Sequence, residues 1–245
     1  TAEEEKSLIE REIDNGADAI IVQPVPGSEE MLWKMGNRVP VMLIGNAASE
    51  EGEESLLPVV GPDNYALGAV LAEELLKDYN GNLSGKTLGI FSKTGDSRAS
   101  IERRRGFTDA MEHTDASISW SAAAPFSEEG EALLDSQPAV DLVIALDDNS
   151  LTMAGEYAAA NNLPGALVYG IGNSTEAVYY LDTGIVGCLV VPDEFNVGYQ
   201  SLKEAAESLT HYLHKMQDRT VSYNVIRRDN LFSRENQEII FTMSQ

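Results

Sequence analysis

Short apolar strands alternate with helices along most of this 245-residue chain, and several strands run directly into a polar or charged residue. In an open parallel α/β sheet, the carboxyl ends of the strands meet at one edge, and ligands bind at that edge. The polar residues at the strand ends are therefore predicted to converge on one cleft. Those residues are Gln23, Asn46, Asp147 with Asp148, and Asn173.

Apolar residues recur at helical spacing in eight segments, and the runs of Val, Ile and Leu between them are apolar almost throughout. This alternation predicts an α/β fold in which doubly wound parallel sheets are flanked by helices. About nine strands are too many for one small sheet, so we expect two lobes of four to six strands each, joined by a hinge. The predicted helices span about 2–15, 28–37, 64–79, 97–113, 127–136, 149–161, 174–183 and 194–216.

The charge balance restricts the partners of the chain. With 17 Lys and Arg against 40 Asp and Glu, the formal net charge is -23, which repels nucleic acid. The acidic run Glu50–Glu54 is interpreted as a solvated loop rather than a cation site. No run approaches the roughly 18 apolar residues that a membrane span needs. The chain opens at once with the helical segment Ala2–Lys6, so we interpret the opening as truncated, with any export signal or anchor lost upstream.

Two motifs of catalytic or nucleotide-binding type do not have the context that their chemistry needs. Gly81–Thr87 resembles a phosphate loop, but its glycine spacing is one residue short and it precedes a strand instead of opening a helix. Ser97 suggests a hydrolase nucleophile, yet the only candidate bases are His113, His211 and His214, all on predicted helices in contexts that look solvent-facing. Ser97 is better explained as a helix N-cap. Metal-ligand spacing among Cys and His is absent from the sequence.

The remaining polar groups suit the binding of a hydroxylated ligand. Asp147 and Asp148 follow a strand that is predicted to be buried, where a carboxylate needs hydrogen-bond donors. A polyhydroxyl ligand supplies such donors. Arg103 could donate a forked pair of hydrogen bonds to ligand oxygens. A bridge from Arg103 to an aspartate, or a solvated helix face, explains this arginine equally well.

Amides and one aromatic residue complete the predicted constellation. Gln23, Asn46 and Asn173 both donate and accept hydrogen bonds, which suits neutral hydroxyls better than phosphates. These residues could equally cap the helices that follow them. Phe126 lies between a predicted strand and a predicted helix, so its ring could stack on a sugar, although aromatic residues more often pack in the core.

An ordered series of short motifs resembles the type I periplasmic sugar-binding proteins. These proteins are the solute receptors of ABC importers, and they are related to ribose- and galactose-binding proteins and to the effector domains of LacI-like repressors. Each motif alone is weak evidence for the family, but the order and spacing of the motifs together are specific. The resemblance covers nearly the whole chain. The motifs are Gly16–Pro24, Val39–Asn46, Gly61–Gly68, Glu102–Phe107, Ala145–Asp148, Tyr169–Asn173, Tyr180–Gly187 and Val191–Tyr199.

The resemblance implies a non-enzymatic receptor whose two lobes close over a small polar ligand, most readily a carbohydrate, without a cofactor or metal. It further implies an extracytoplasmic location, either periplasmic or lipid-anchored, a monomeric state and an ABC importer permease as partner. The implied lobes are residues 1–62 with 192–221 and residues 63–191 with 222–230, followed by a return segment at 231–245. The implied ligand contacts are Gln23, Asn46, Arg103, Phe126, Asp147, Asp148, Asn173 and Asp193.

Several positions depart from the family pattern. In ribose-binding relatives an Asp-Arg pair follows the strand that here ends at Asn46, an Asp stands at Gly172 and a Gln at Pro192. Three sugar-holding groups are therefore missing, so the ligand is expected to be larger, less polar or different in kind. Relatives also begin with a strand, helix and strand of about 45 residues upstream. Without that segment the first lobe is expected to expose a sheet edge.

A regulatory protein is the alternative function. The same fold serves as the effector-sensing domain of a LacI-like transcriptional repressor or of a membrane sensor. Asn82–Thr87 lacks the Gly-His pair that repressors usually carry before this strand, so the receptor is favoured.

Overall fold

A computed structural model describes residues 1–49, 54–94, 97–160, 167–211 and 213–240. Most of the predicted loop Glu50–Glu54 therefore lies outside the described residues. The described residues form helices α1 (Ala2–Asp14), α2 (Glu29–Met35), α3 (Asn64–Asp78), α4 (Arg98–Met111), α5 (Glu128–Asp135), α6 (Asp148–Ala159), α7 (Thr175–Thr183), α8 (Glu194–Thr210) and α9 (Arg234–Ile240). They also form strands β1 (Ile20–Val22), β2 (Val41–Ile44), β3 (Val59–Pro62), β4 (Thr87–Ser92), β5 (Ser117–Ala123), β6 (Leu142–Ala145), β7 (Leu167–Ile171), β8 (Val186–Pro192), β9 (Arg219–Val221) and β10 (Tyr223–Ile226).

Contacts divide the chain into two compact units. The predicted α/β fold is confirmed, since strands and helices alternate and each unit has its own sheet. Helix α9, in the expected return segment, is an element that the sequence did not predict, and it belongs to the second unit. The first unit is Thr1–Asp63, Asp96–Ala99 and Asp193–Ser222, and the second is Asn64–Gly95, Ser100–Pro192 and Tyr223–Gln245.

The first unit contains a four-stranded sheet in the order β1-β2-β3-β9, with every neighbouring pair parallel. Helices α1 and α2 cover one face, where Ile9 and Leu32 pack in one cluster with Leu43. Helix α8 covers the other face, where Val197 packs with Met42. Residues alternate between the two faces along a strand, so Met42 packs against α8 and Leu43 packs against α1 and α2.

The second unit contains a six-stranded sheet in the order β10-β8-β7-β6-β4-β5. Five strands are mutually parallel, but β10 pairs antiparallel with β8, which corrects the expectation of a purely parallel sheet. Leu67 of α3 and Phe107 of α4 pack with Ile90 on one face, while Leu151 of α6 packs with Phe91 on the other. Strands β5 and β6 lie on opposite sides of β4. The carboxyl ends of β4 and β6 therefore flank a topological switch point, where open α/β sheets bind ligands.

Two glycines bring α3 and α4 into close contact. A Cβ atom at Gly68 would overlap the carbonyl oxygen of Arg103, and one at Gly106 would overlap the carbonyl oxygen of Tyr65. Glycine at both positions lets the two helix backbones approach, which fixes the place of Arg103 relative to α3.

The predicted end of α8 is wrong, because the helix ends at Thr210 instead of 216. The reason is the buried carboxylate of Glu204, which accepts hydrogen bonds from the Gln217 backbone N–H at 3.2 Å and from Arg219 Nε at 2.8 Å. His214 Nε2 also lies 3.0 Å from this carboxylate. These contacts turn the chain back onto α8, and helical periodicity cannot predict them because the partners come from after the helix.

The histidines consequently differ from their predicted placement. His113 lies in a turn after α4, which ends at Met111, and His211 is the residue that follows α8. His214 is not solvent-facing, because its side chain is only 24% exposed and contacts Glu204.

Replacing Gly68 with alanine is expected to lower the free energy of unfolding by about 2–3 kcal/mol, because the added methyl group forces α3 away from α4. Chemical denaturation monitored by circular dichroism measures this change.

The matched control is Gly198→Ala on α8, where an added Cβ meets no atom within 4 Å. That variant is expected to be about 0.5–1 kcal/mol more stable than the wild type, because alanine suits a helix interior better than glycine. Equal effects at the two positions would contradict the close α3–α4 contact.

Candidate functional site

The carboxyl ends of β4 and β6 in the second unit are joined by a hydrogen bond. The backbone N–H of Lys93, directly after β4, donates to Asp147 Oδ2 at 2.5 Å. Asp147 follows β6 and is the N-cap of α6, where its Oδ1 accepts the Ser150 backbone N–H at 3.0 Å. Both oxygens of Asp147 thus accept backbone N–H groups, and the bond from Lys93 crosses the switch point. Each carboxylate oxygen has a second lone pair, so Asp147 can still accept from a ligand hydroxyl.

Asp148 makes the equivalent connection between β6 and β7. Its Oδ1 accepts the backbone N–H of Ser174 at 3.1 Å. Gly172, between β7 and Ser174, has φ +153, and a Cβ atom there would overlap Asp148 Oδ1. The Gly172 position thus makes room for the Asp148 carboxylate, and an aspartate of the kind found in ribose-binding relatives would not fit without rearrangement.

Arg103 of α4 reaches the end of β6. Its Nε donates to Asn64 Oδ1 at 2.8 Å, and its Nη1 donates to the Leu146 carbonyl oxygen at 2.9 Å. The Arg103 side chain is half-buried, and Asn64 is buried at the start of α3. These bonds hold the guanidinium at the carbonyl group of Leu146, the residue that precedes Asp147. Removing the Arg103 side chain would leave the buried Asn64 oxygen without this donor, so Arg103 also has a structural role.

Asn173 and Phe126 lie on the same carboxyl edge. Asn173 follows β7 and is half-buried, and within the described residues its side chain has no hydrogen-bond partner. Its amide can therefore both donate to and accept from a ligand. Phe126 follows β5, directly before the α5 N-cap Ser127, and the residue is 52% exposed. Its ring is open to a partner.

Of the three predicted residues of the first unit, Asn46 and Asp193 make local hydrogen bonds. Gln23 follows β1 and is exposed, and Asn46 follows the neighbouring strand β2. Asn46 is buried, and its Nδ2 donates to the Ala47 carbonyl oxygen at 2.7 Å. Asp193 is the N-cap of α8, and its two oxygens accept the backbone N–H and the side-chain amide of Asn196 at 3.0 and 2.6 Å.

The structure thus brings Arg103, Asp147, Asp148 and Asn173 together at one sheet edge in the second unit. The sequence did not reveal which groups fix these side chains. The Lys93 N–H and the Ser174 N–H are backbone donors, which leave no side-chain signal.

One group in the described part of the chain has the geometry of metal ligands. Side-chain atoms of Glu204, Glu207 and His214 lie within 4.8 Å of one another. Arg219 Nη2 lies 2.6 Å from Glu204 Oε1, so this carboxylate already has a cationic partner. We interpret the group as the ion-pair cluster that ends α8.

Comparison with solved structures shows the same fold in solute-binding proteins. A carbohydrate transporter solute binding protein from Agrobacterium radiobacter, in complex with D-arabinose, is 18% identical with a TM-score of 0.82, over 96% of this chain and 82% of that chain. A solute binding protein from Agrobacterium vitis with bound D-fucose is 14% identical with a TM-score of 0.84. The match covers 98% of this chain and 85% of that chain. A periplasmic solute binding protein from Actinobacillus succinogenes 130z with bound D-allose is 19% identical with a TM-score of 0.78. The match covers 94% of this chain and 85% of that chain.

No curated protein sequence matches this chain significantly. Among the described residues, no helix is long and apolar enough to cross a membrane. The family model for the periplasmic binding protein domain matches residues 1–212. The chain therefore belongs to the periplasmic binding protein family.

Proposed function

We propose that this chain is a receptor that captures a small carbohydrate and delivers it to an ABC importer. The observation that carries the proposal is the carboxyl edge of the second sheet, where Arg103, Asp148 and Asn173 meet beside a switch point of the strand order. Family membership supports binding rather than catalysis as the activity.

The side chains at this edge divide into complementary roles. Arg103 donates charge-assisted hydrogen bonds, and Asp148 accepts hydrogen bonds from hydroxyl groups. Asn173 donates and accepts, as each hydroxyl of a sugar does. Phe126 offers its exposed ring to the apolar face of a pyranose or furanose. Micromolar affinity corresponds to about -8 kcal/mol, which a few charge-assisted bonds and one stacked ring supply after the costs of ordering.

The structural relatives support a neutral monosaccharide as the ligand, in place of the larger, less polar or different ligand expected from the sequence, since the solved complexes contain D-arabinose, D-fucose and D-allose. Gly172 replaces a family aspartate, and Asp148 fills the adjoining space. We infer that Asp148 supplies the carboxylate that relatives provide from the following strand, so the preferred sugar differs in the position or orientation of its hydroxyls.

The remaining parts of the proposal rest on membership of the periplasmic binding protein family. We place the receptor outside the cytoplasm, as a monomer whose loaded form is read by a membrane permease. Capture by hinge closure stays a prediction, as do ligand contacts from Gln23, Asn46 and Asp193.

Screening a panel of monosaccharides by thermal shift tests the proposed function. At least one of D-arabinose, D-fucose, D-allose, D-galactose and D-ribose is expected to raise the melting temperature. A ligand at a hundredfold excess over its Kd adds about 2.7 kcal/mol to the stability of the folded state. Unchanged melting with every member of a wider sugar panel would rule out this ligand class.

Asn173→Ala is expected to weaken binding of the identified sugar about tenfold, because the amide makes hydrogen bonds with the ligand that cannot be replaced. Calorimetric titration measures the affinity, and the melting temperature without sugar is expected to stay near that of the wild type.

Asn82→Ala provides the matched control. Asn82 is an exposed asparagine of the second unit whose Oδ1 accepts the Ser84 backbone N–H in a turn. Its replacement is expected to leave the affinity unchanged. Wild-type affinity in the Asn173 variant would remove Asn173 from the site.

A further inference from the structure

A polar cavity lies between helix α8 and the edge strand β9 of the first unit. Its volume of about 500 Å³ falls within the range of about 300–1,000 Å³ that is usual for small-molecule sites. Every lining residue belongs to the first unit, so the cavity shares no residue with the candidate site on the second sheet. The polar lining residues are Asn196, Gln200, Lys203, Arg219, Thr220 and Ser222.

Among the described residues, the wall of this cavity holds two cations and no carboxylate. Acidic residues outnumber basic ones by 40 to 17 in the chain, so a wall of this kind departs from the overall composition. One of the two cations, Lys203 of α8, is exposed and has no hydrogen-bond or ion-pair partner in the described part of the chain. The charge of the wall therefore favours a ligand that carries negative charge.

The second cation, Arg219 of β9, is held in place by a buried carboxylate. Its Nε and Nη2 lie 2.8 and 2.6 Å from Glu204 Oε1. Its Nη1 has no partner among the residues that the structure describes, and the side chain is 44% exposed. A guanidinium that is already fixed loses little freedom when its unused N–H groups bind an oxyanion.

Neutral polar groups complete the wall. Gln200 and Asn196 precede Lys203 by three and seven positions, so all three lie on one face of α8. Gln200 is half-buried, and its amide has no partner among the described residues. Asn196 Nδ2 donates to Asp193 Oδ2 at 2.6 Å, which leaves Asn196 Oδ1 as an acceptor. Groups that donate together with groups that accept suit the hydroxyls of a ligand.

The carboxylates near the cavity limit the charge that a ligand can carry. The charge of Glu204 is offset by Arg219, with which it pairs. Glu207 follows Lys203 by one helical turn, but its carboxylate lies 3.7 Å from His214 Nε2 and forms no ion pair with Lys203. Lys203 is therefore the cation of the wall whose charge no direct contact offsets. A ligand with one or two negative charges matches this arrangement.

We propose that the cavity between α8 and β9 binds a small hydroxylated anion. Arg219 and Lys203 bind its carboxylate or phosphate group through charge-assisted hydrogen bonds. Gln200 and Asn196 bind its hydroxyl groups. This site is independent of the sugar site proposed for the second sheet, because the two sites share no residue and a neutral sugar lacks the anionic group.

Three probes that differ only at carbon 6 test the proposal, namely D-glucuronate, D-glucose 6-phosphate and D-glucose. At least one of the two anions is expected to bind saturably in a calorimetric titration at low salt, and more weakly as the salt concentration rises. The tighter of the two identifies the preferred anionic group. In a nitrogen–proton correlation spectrum, that anion is expected to shift the amides of Gln200, Lys203 and Thr220, whereas D-glucose is expected to leave these three amides unchanged.

Lys203→Ala is expected to weaken binding of that anion about tenfold, because a charge-assisted hydrogen bond is lost. The melting temperature without ligand is expected to stay near that of the wild type, since Lys203 is exposed and has no partner among the described residues. The matched control is Lys34→Ala on α2, which covers the opposite face of the same sheet. It removes the same charge from an exposed helix position and is expected to keep wild-type affinity.

Asn173→Ala separates this site from the proposed sugar site and is expected to bind the anion as the wild type does. The proposal is overturned if neither anion binds saturably, or if Lys203→Ala and Lys34→Ala bind the anion equally well. It is also overturned if Asn173→Ala weakens anion binding, or if the anion shifts the amides of Lys93 and Ser174 instead of those in the cavity. None of these results bears on whether a neutral sugar binds at the second sheet.

Discussion

The candidate site depends on two carboxylates that accept backbone N–H groups from neighbouring strands. Asp147 accepts from Lys93 after β4, and Asp148 accepts from Ser174 after β7. Each bond joins the carboxyl end of one parallel strand to the next and offsets the cost of placing a carboxylate at the end of a buried strand. The two bonds fix the ends of β4, β6 and β7 before any ligand arrives. Such prior order lowers the entropy that binding must overcome.

Arg103 adds a cation to this edge and is itself held in place. Its position follows from the close approach of α3 and α4 at Gly68 and from its bond to the buried Asn64. Gly172 has the complementary role, because the lack of a side chain there leaves space for Asp148. The candidate site therefore combines an arginine that matches the family motif with a carboxylate arrangement of its own, which is the physical basis for the proposed difference in sugar preference.

The architecture could be predicted from the sequence because each strand and helix carries its own local signal. Apolar runs such as Leu142–Ala145 and the helical spacing of Leu67 and Leu71 can be recognised without a structure. Features made by distant partners were not predictable. Helix α8 ends early because Glu204 binds Arg219, and Arg103 is fixed by Asn64, which is 39 positions away in sequence. The edge to which Asp147 and Asn173 belong could be predicted, but not that backbone N–H groups already engage Asp147.

The central claim is that a sugar binds at the carboxyl edge of the second sheet. Its most direct test is a nitrogen–proton correlation spectrum recorded while the most stabilising monosaccharide is titrated. The account predicts the largest shifts for the backbone amides of Lys93 and Ser174, which donate the bonds that join the strand ends, and of Asp148, whose carboxylate accepts one of these bonds. Saturable shifts confined to other parts of the protein, with these three amides unchanged, would contradict it.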